Sequence, residues 1–348
     1  MNIVRFLLSF ILVVLFFFAD ACGEGKICIK EAAYRNLKSI QVENEVLRIV
    51  ILPERGANIA SIVYKPTNRE WLWQSVEPYK LPPYGASFAE YDMSGFDDCF
   101  PTVSECLYPE SPWENIKIPC HGELWTLPWE CKIAKNRREV ECETYGVRLP
   151  YYFKKVVTLC NNKIKILYTV RNLSPFPLKV IWAAHPLIAV APGMKILLPR
   201  GTTVIDDISP WKLTIEEDKI LSIDIGERSA RVAKKFFTEK LPLLDNVGWG
   251  AFYEPISKEF MLFTFPKEVI PYIGVWINQG GFPFLPEGGH YNAAIEPTNC
   301  NAENLIEGDE KGSLAPLPPK SSLRWYLTLT VGKVEGLSDM LNFLKHQK

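Results

Sequence analysis

Apolar and polar residues alternate along most of this chain with the period of two that is typical of half-buried β-strands. In the clearest segment, 163–171, Ile164, Ile166, Tyr168 and Val170 fall on one face and charged or polar residues on the other. Further strands are predicted over 39–52, 60–64, 71–73, 129–134, 140–145, 151–159, 249–253, 259–265 and 323–331. Strands that follow one another without intervening helices favour a sandwich of antiparallel sheets.

Helical periodicity is confined to one segment near the C-terminus, 336–346, where Leu337, Met340, Leu341 and Leu344 recur at helical spacing. The 27 prolines of the chain are compatible with a loop-rich β protein and exclude a helical bundle. With no linker or internal repeat in the sequence, we expect residues 22–348 to form one large β-sandwich domain with few short helices.

The segment 163–171 is expected to form a hairpin with the strand 178–186, joined by a turn at 172–177 that contains two prolines. The returning strand places Ile181, Ala183 and His185 on one face and ends at Pro186. His185 is one of only four histidines, and Ala183 and Ala184 leave space for a small ligand beside it. The alternative is a hydrogen-bonded histidine of the core.

Residues 1–21 predict a signal peptide rather than a part of the fold. A short basic lead, 1–5, is followed by an apolar run, 6–18, and by the small-residue cleavage signal Ala19-Asp20-Ala21. Because the apolar run is short for a membrane span, we expect the mature protein to be exported, either periplasmic or secreted. The alternative is a retained membrane anchor. Cys22 is a candidate lipid attachment site, although its preceding residues match that signal weakly.

Acidic and basic residues nearly cancel, at 40 and 39, and form no charged run. Nucleic acid and anionic membranes therefore lose their main electrostatic attraction to this chain. The ten tryptophans offer rigid faces that could stack on sugar rings, although most aromatic residues are expected in the core. A neutral small molecule is the expected partner.

Two of the nine cysteines are placed symmetrically about a turn. A two-residue loop at Asn136-Arg137 would set Cys131 opposite Cys142 across a hairpin, at a separation that suits a disulfide. The alternative is a pair of reduced, buried thiols. The cysteines and histidines do not fall at zinc-site spacings, so no metal is expected.

Two long segments concentrate polar and titratable residues as functional loops do. The first, 93–125, contains Asp97, Asp98, His121 and other acidic residues among aromatic ones. In the second, 272–299, Glu296 follows the apolar run Ala293-Ala294-Ile295. A carboxylate there is expected to pair with a cation or to act as a base.

The ordered motifs "GFDDCFPT", "HGELW", "VRNLSPFPLKVIWAAHP", "GVWINQGG" and "AAIEPTN" resemble the aldose 1-epimerase (galactose mutarotase) superfamily over about residues 40 to 332. The resemblance implies a galactose mutarotase-like β-sandwich and an isomerase that needs no cofactor. It assigns His185 as the general acid on the ring oxygen, Glu296 as the general base on the anomeric hydroxyl, and His121 as a sugar-binding residue. We also expect Trp276 on the cleft wall and a substrate contact from Asp98.

Two features depart from the family pattern. Glu123, Leu124 and Trp125 follow the His-Gly pair where an arginine that binds substrate is common. The substrate-binding aspartate that lies between acid and base in the family has Asp245 as its nearest candidate here.

The predicted chemistry is anomer exchange, for which an acid and a base are expected on opposite sides of the sugar. The rate should fall at low pH as Glu296 is protonated and at high pH as His185 loses its proton. The alternatives are a non-catalytic exported carbohydrate-binding protein and a glycoside hydrolase or lyase accessory protein. A hydrolase needs a carboxylate pair, and the neighbours Asp97 and Asp98 would point to opposite faces of a strand.

Overall fold

The structure, a computed structural model, describes residues 26–242 and 247–346. Residues 1–21, Cys22 and Asp245 lie outside the described residues. The strands are β1 (Cys28–Tyr34), β2 (Leu37–Glu43), β3 (Leu47–Leu52), β4 (Asn58–Tyr64), β5 (Arg69–Glu70), β6 (Phe96–Cys99), β7 (Cys106–Leu107), β8 (Lys117–Ile118), β9 (Glu130–Ile133), β10 (Glu139–Tyr145), β11 (Tyr151–Cys160), β12 (Lys163–Asn172), β13 (Ala183–Pro186), β14 (Ile188–Ala189), β15 (Lys195–Leu198), β16 (Thr214–Ile215), β17 (Leu221–Asp224), β18 (Val232–Phe237), β19 (Gly248–Glu254), β20 (Glu259–Phe265), β21 (Tyr272–Gln279), β22 (Tyr291–Thr298) and β23 (Ser322–Lys333). The α-helices are α1 (Leu305–Glu310) and α2 (Leu337–Lys345).

Two large antiparallel sheets contain most of these strands. The first sheet has the order β1-β2-β3-β4-β6-β13-β22-β21-β18, with β5 on β4 and β14 on β22. The second has the order β16-β17-β15-β19-β20-β23-β12-β11-β10-β9. The predicted class, a large antiparallel β-sandwich with few short helices, is confirmed.

The core lies between the two sheets and follows from the period-two pattern. In β12 the apolar residues Ile164, Ile166, Tyr168 and Val170 are all buried, while the residues between them are half-buried or exposed. Apolar residues of the first sheet, among them Val275 and Ile295, join the same cluster from the other side. Burial of this alternating face supplies the main driving force for the two-layer arrangement.

The predicted hairpin of 163–171 with 178–186 is wrong, because the two segments belong to different sheets. β12 pairs with β11 and β23 in the second sheet, whereas β13 pairs with β6 and β22 in the first. The amide of Asn172 donates to Phe176 O at 2.7 Å and to Leu317 O at 3.1 Å, which stabilises the exit from β12. The chain then passes from the second sheet to the first, where β13 carries His185.

Two other strand predictions need correction. The predicted strand 39–52 is divided into β2 and β3, because the side chain of Asn44 accepts hydrogen bonds from Val46 N and Leu47 N and makes a turn. The predicted strand 71–73 forms only one bridge, between Leu72 and Ile188.

The cysteine hairpin is confirmed. Cys131 on β9 and Cys142 on β10 are directly opposite and form a disulfide, with a Cα–Cα distance of 4.1 Å. The turn is longer than predicted, because Ala134 N donates to Glu139 O and Arg137 adopts a positive φ of 54°. A loop over 135–138 has the same centre as the predicted two-residue loop, so the register is the same.

The predicted C-terminal helix is confirmed as α2. Its buried residues Met340, Leu341 and Leu344 pack with Trp249 and Leu262 on a cluster separate from the main core. Within 26–242 and 247–346, the structure contains no helix with the length and apolar character to cross a membrane.

Candidate active site

A cleft of about 570 Å³ opens on the face of the first sheet that points away from the second sheet. On β21 and β22, Val275 and Ile295 point into the core, whereas Trp276 and Ala294 belong to a separate apolar cluster beside the cleft. The alternation of these two strands therefore directs Trp276, Asn292 and Glu296 to the cleft side of the sheet.

His185 reaches the cleft from β13, a short strand between β6 and β22. Its Nε2 atom lies 3.9 Å from Oε1 of Glu296 on the adjacent strand. The Phe88 ring packs edge-on against the imidazole, with the ring centroids 5.5 Å apart. Phe88, His185 and Glu296 all line the cleft. The acid and base candidates therefore converge, but they are neighbours rather than groups on opposite sides of a ligand.

Glu296 is the most enclosed charged group of the cleft, with only 1% of its surface exposed. Its Oε2 atom forms an ion pair with Lys235 Nζ at 2.6 Å, and neither its Oε1 nor its Oε2 atom makes a hydrogen bond with the described protein atoms. A buried carboxylate oxygen without a donor is costly. A ligand hydroxyl between Glu296 and His185 would supply that donor.

His121 enters the cleft on a tight turn. It has a positive φ of 58°, and its neighbour Gly122 has a φ of 70°. A Cβ atom at Gly122 would lie 2.0 Å from the carbonyl oxygen of Phe100, so only glycine allows this close approach. The turn holds the His121 ring against His185, with the centroids 4.6 Å apart, and against Phe88 at 4.0 Å.

The histidines of the cleft are uncharged at neutral pH. Burial, and then the positive charge of Lys235, lower the pKa of His185 to about 3. Burial, followed by the electrostatic effects of the neighbouring His185 and Lys235, lowers the pKa of His121 well below its usual value. Burial and Arg228 lower the pKa of His290 to about 4. Neutral imidazoles can still donate one hydrogen bond from one ring nitrogen.

Aromatic side chains form a wall of the cleft, as predicted for Trp276. The indole Nε1 of Trp276 donates to Asn292 Oδ1 at 3.1 Å, and Phe282 packs edge-on against its ring at 6.0 Å. His290 stacks on Trp73 with the ring centroids 4.1 Å apart. Flat apolar faces beside amide groups suit a sugar ring with its hydroxyls.

Asp98 does not reach the cleft, and its predicted contact with substrate is wrong. Its carboxylate accepts from Lys155 Nζ at 2.9 Å and from Trp182 Nε1 at 3.1 Å, on the core side of β6. Asp97 points the opposite way, as predicted, and accepts from Asn58 Nδ2 at 2.8 Å. Burial raises the pKa of Asp97 to about 6, against the opposing charge of Arg55.

Glu123, which follows the His-Gly pair, is fully buried away from the cleft. It accepts hydrogen bonds from Tyr84 Oη at 2.5 Å and Arg148 N at 2.7 Å. Glu123 does not line the cleft, whereas His121 does. It therefore does not replace the substrate-binding arginine of the family pattern.

Two charged residues of the site were missed by sequence reasoning. Lys235 on β18 lies 2.6 Å from Glu296 and 2.9 Å from Oε1 of Glu303, which precedes α1. Lys234 and Lys235 are adjacent among apolar residues, so the pattern indicates a strand but not which of the two lysines contacts Glu296. Glu303 follows the motif "AAIEPTN" by a few residues and could have been suspected from that proximity.

Among residues 26–242 and 247–346, no three His, Cys, Asp or Glu side chains are grouped in a way that could hold a metal ion. The cleft contains three neutral histidines, and the Lys235 ammonium lies beside Glu296. The arrangement can bind hydroxyl groups and move protons between them.

Neither the protein-family models nor the curated proteins contain a match to this chain. Solved structures do match in fold. A galactose mutarotase-like protein from Lactobacillus casei superposes with a TM-score of 0.62 at 14% identity, covering 84% of this chain and 100% of that chain. A galactose mutarotase related enzyme from Lactobacillus acidophilus gives 0.61 at 15%, covering 86% and 99%.

A GalM/aldose epimerase homologue from C. elegans gives a TM-score of 0.57 at 12% identity, covering 89% of this chain and 100% of that chain. At these identities the likeness concerns the fold. The chain has the β-sandwich fold of these galactose mutarotase-like structures, which is the fold that the resemblance of its motifs implied.

Proposed function

We propose that this protein is an aldose 1-epimerase, which exchanges the α and β anomers of an aldose by opening and reclosing the sugar ring. The observation that carries the proposal is the approach of His185 Nε2 to within 3.9 Å of Glu296 Oε1 in an open cleft. The ring oxygen and the anomeric oxygen are bonded to the same carbon. An acid and a base that serve them must therefore be close neighbours.

Ring opening moves one proton from the anomeric oxygen to the ring oxygen. Glu296 Oε1 accepts the anomeric proton while the bond between the anomeric carbon and the ring oxygen breaks. His185 donates a hydrogen bond from Nε2–H to the ring oxygen as negative charge develops there, as neutral imidazoles do in other enzymes. Glu296 then passes the proton that it took from the anomeric hydroxyl to the ring oxygen, so that the carboxylate is regenerated and His185 stays neutral. Rotation about the next carbon bond and reversal of these steps give the other anomer.

The low pKa of His185 changes the expected pH dependence. The pKa of about 3 means that His185 is already neutral in the free protein at pH 7. The pH dependence of kcat/KM reports the protonation of groups in the free enzyme. Deprotonation of His185 therefore cannot make kcat/KM decrease between about pH 6 and 8. A decrease at low pH, when Glu296 is protonated, is still expected.

The other cleft residues would bind the sugar. Trp276 offers its face, and Asn292, whose amide oxygen accepts from Trp276, offers its amide nitrogen beside it. His121 is close enough to His185 to contact the same end of the sugar. Asp245 stays a candidate substrate contact. The N-terminal pattern supports export, and sequencing the mature N-terminus would test cleavage after Ala21.

Proton NMR of freshly dissolved aldoses tests this function directly. The expected result is that a catalytic amount of protein accelerates the approach to the equilibrium ratio of anomeric signals for at least one aldose. A non-catalytic sugar-binding protein would instead perturb the sugar signals in proportion to its concentration and leave the rate of approach unchanged. Glucose, galactose and their disaccharides form a suitable first panel.

A further inference from the structure

Lys235 links the proposed base to a part of the cleft that the recognised motifs do not cover. Its ammonium lies 2.6 Å from Glu296 Oε2 and 2.9 Å from Glu303 Oε1. Lys235 is itself only slightly exposed, at 14% of its side chain. Two carboxylates thus share one largely buried cation next to the proposed reaction centre.

The sheet is built to allow this contact. β21 lies between β18, which carries Lys235, and β22, which carries Glu296. Across the strands Lys235 is opposite Trp276, and Gly274 is opposite Glu296. The lysine therefore crosses β21 above Gly274. A Cβ atom at position 274 would lie 3.1 Å from Lys235 Cε and 3.4 Å from Glu296 Cβ, so glycine leaves the space that the lysine uses.

Lys235 is the one cation among the described groups around Glu296. The titratable groups there are His185 on β13, Cys99 on β6, His121 on its turn, Lys235 on β18 and Glu303 before α1. Burial keeps both histidines neutral and raises the pKa of the Cys99 thiol. Burial also acts to lower the pKa of Lys235, but attraction to Glu296 and Glu303 outweighs it and the net shift is upward.

Burial as complete as that of Glu296 penalises the charged form of a carboxylate, and an adjacent cation offsets that penalty. A protonated Glu296 could not accept the anomeric proton. The ion pair also fixes the orientation of the carboxylate. With Oε2 directed at Lys235, Oε1 is left facing His185 Nε2 at 3.9 Å and is free of protein hydrogen bonds.

We propose that Lys235 is a positioning residue that keeps Glu296 ionised and turns its Oε1 atom toward the sugar, and that Glu303 holds the lysine in place. This inference rests on the proposed function, because the ionised carboxylate matters only if Glu296 is the base. It assigns to β18 a role in the reaction that none of the sequence motifs indicated.

The test is the pH dependence of anomer exchange in Lys235→Met. Loss of a positive charge at this distance should move the acid limb of the rate profile upward by about 1 to 3 pH units. The rate should fall about tenfold per unit of that shift at low pH and recover at high pH. Lys235→Arg should restore most of the wild-type profile. A lysine needed only for folding or packing would lower the rate equally at every pH.

Two controls separate the pair from general charge effects. Lys234→Met removes the same charge from the adjacent residue, which also lines the cleft but whose ammonium pairs with Asp207 at 2.8 Å and not with Glu296. Its acid limb should stay where it is in the wild type. Glu303→Gln keeps a side-chain oxygen that can accept from Lys235 and removes a negative charge near Glu296, so its acid limb should not rise.

A measurement that does not depend on activity completes the test. In protein labelled with ¹³C at the glutamate carboxyl carbons, the signal absent from Glu296→Gln belongs to Glu296. That signal should report protonation at a higher pH in Lys235→Met than in the wild type. An unchanged midpoint overturns the inference whether or not the protein exchanges anomers. A shifted midpoint in a protein without anomer exchange would instead reject the proposed function alone.

Discussion

At the scale of single residues, the proposed anomer exchange depends on His185 and Glu296. We expect His185→Asn and Glu296→Gln each to reduce the rate of anomer exchange by about 10²-fold or more, since a positioned proton-transfer group contributes about 10² to 10⁴. Sugar binding should change little, because each variant keeps a polar side chain. Initial rates and equilibrium binding measured on the same preparations check both statements.

His346→Asn is the matched control for the histidine variant. His346 follows α2, is exposed and does not line the cleft. It should exchange anomers as the wild type does. A loss in His185→Asn no larger than that of His346→Asn would remove His185 from the mechanism.

Burial of His185 also predicts how stability depends on pH. Its folded pKa of about 3 lies below the usual value of 6.5, so between these two values the unfolded chain binds more protons than the folded one. The free energy of unfolding must then rise with pH and be lost on acidification. One histidine contributes up to about 1.4 kcal/mol per pH unit within this window.

Urea unfolding at about pH 7 and 5 tests this. Between these values His185→Asn should lose about 2 kcal/mol less than the wild type, because one titrating histidine has been removed. His346→Asn should follow the wild type. Equal losses in the wild type and His185→Asn would mean that His185 titrates normally in the folded protein.

Residues of the site were predictable where a motif accompanied them. His185, Glu296 and His121 each stand in a short motif with proline or glycine beside them, and the structure brings all three to one cleft. Lys235 is one of two adjacent lysines on a strand. Choosing between them needs the registers of β18, β21 and β22, which no local pattern contains. The direction of Asp98 depends on Lys155, which lies 57 positions away.

At the scale of elements, the hairpin of β9 and β10 carries the disulfide at the edge of the second sheet. We expect Cys131→Ala/Cys142→Ala to lower the free energy of unfolding by about 2 to 3 kcal/mol, because the closed loop is short. Chemical denaturation measures the change. Cys28→Ala, which removes an exposed free thiol, should have no effect of this size. Equal midpoints for the double variant and the wild type would contradict the prediction.

Helix α2 should contribute to stability through its buried face. Leu341 is 2% exposed within the cluster that contains Trp249 and Leu262. Leu341→Ala should therefore cost about 2 to 5 kcal/mol, as other leucine truncations in cores do. Asn342→Ala, on the exposed side of the helix, is the control for thermal and chemical unfolding. Similar stabilities of the two variants would mean that α2 is not packed as described.

Elements were predicted well where contacts are local and poorly where partners are distant. The helix pattern and the cysteine symmetry are complete within a dozen residues, and both predictions hold. The sequence around 172–177 contains turn residues, which gave no means to distinguish a hairpin from a crossover. The crossover is stabilised by contacts such as that of Asn172 with Leu317, 145 residues away.

At the scale of the whole molecule, the alternating pattern identified a β-sandwich because each sheet buries one face. The arrangement of strands was not contained in that pattern. β13 lies between β6 and β22, and β18 joins the sheet at its far edge beyond β21. This order collects His185, Glu296 and Lys235 from three separate parts of the chain.

In the proposed reaction the wild-type protein exchanges sugar anomers through His185 and Glu296. Two-dimensional NMR exchange spectroscopy on an equilibrated aldose tests it most directly, because exchange appears as cross-peaks between the α and β anomeric protons. We predict strong cross-peaks with the wild type for at least one aldose and none above the protein-free level with Glu296→Gln. Cross-peaks of equal intensity with the two proteins, or none with the wild type for any aldose that binds, would contradict the account.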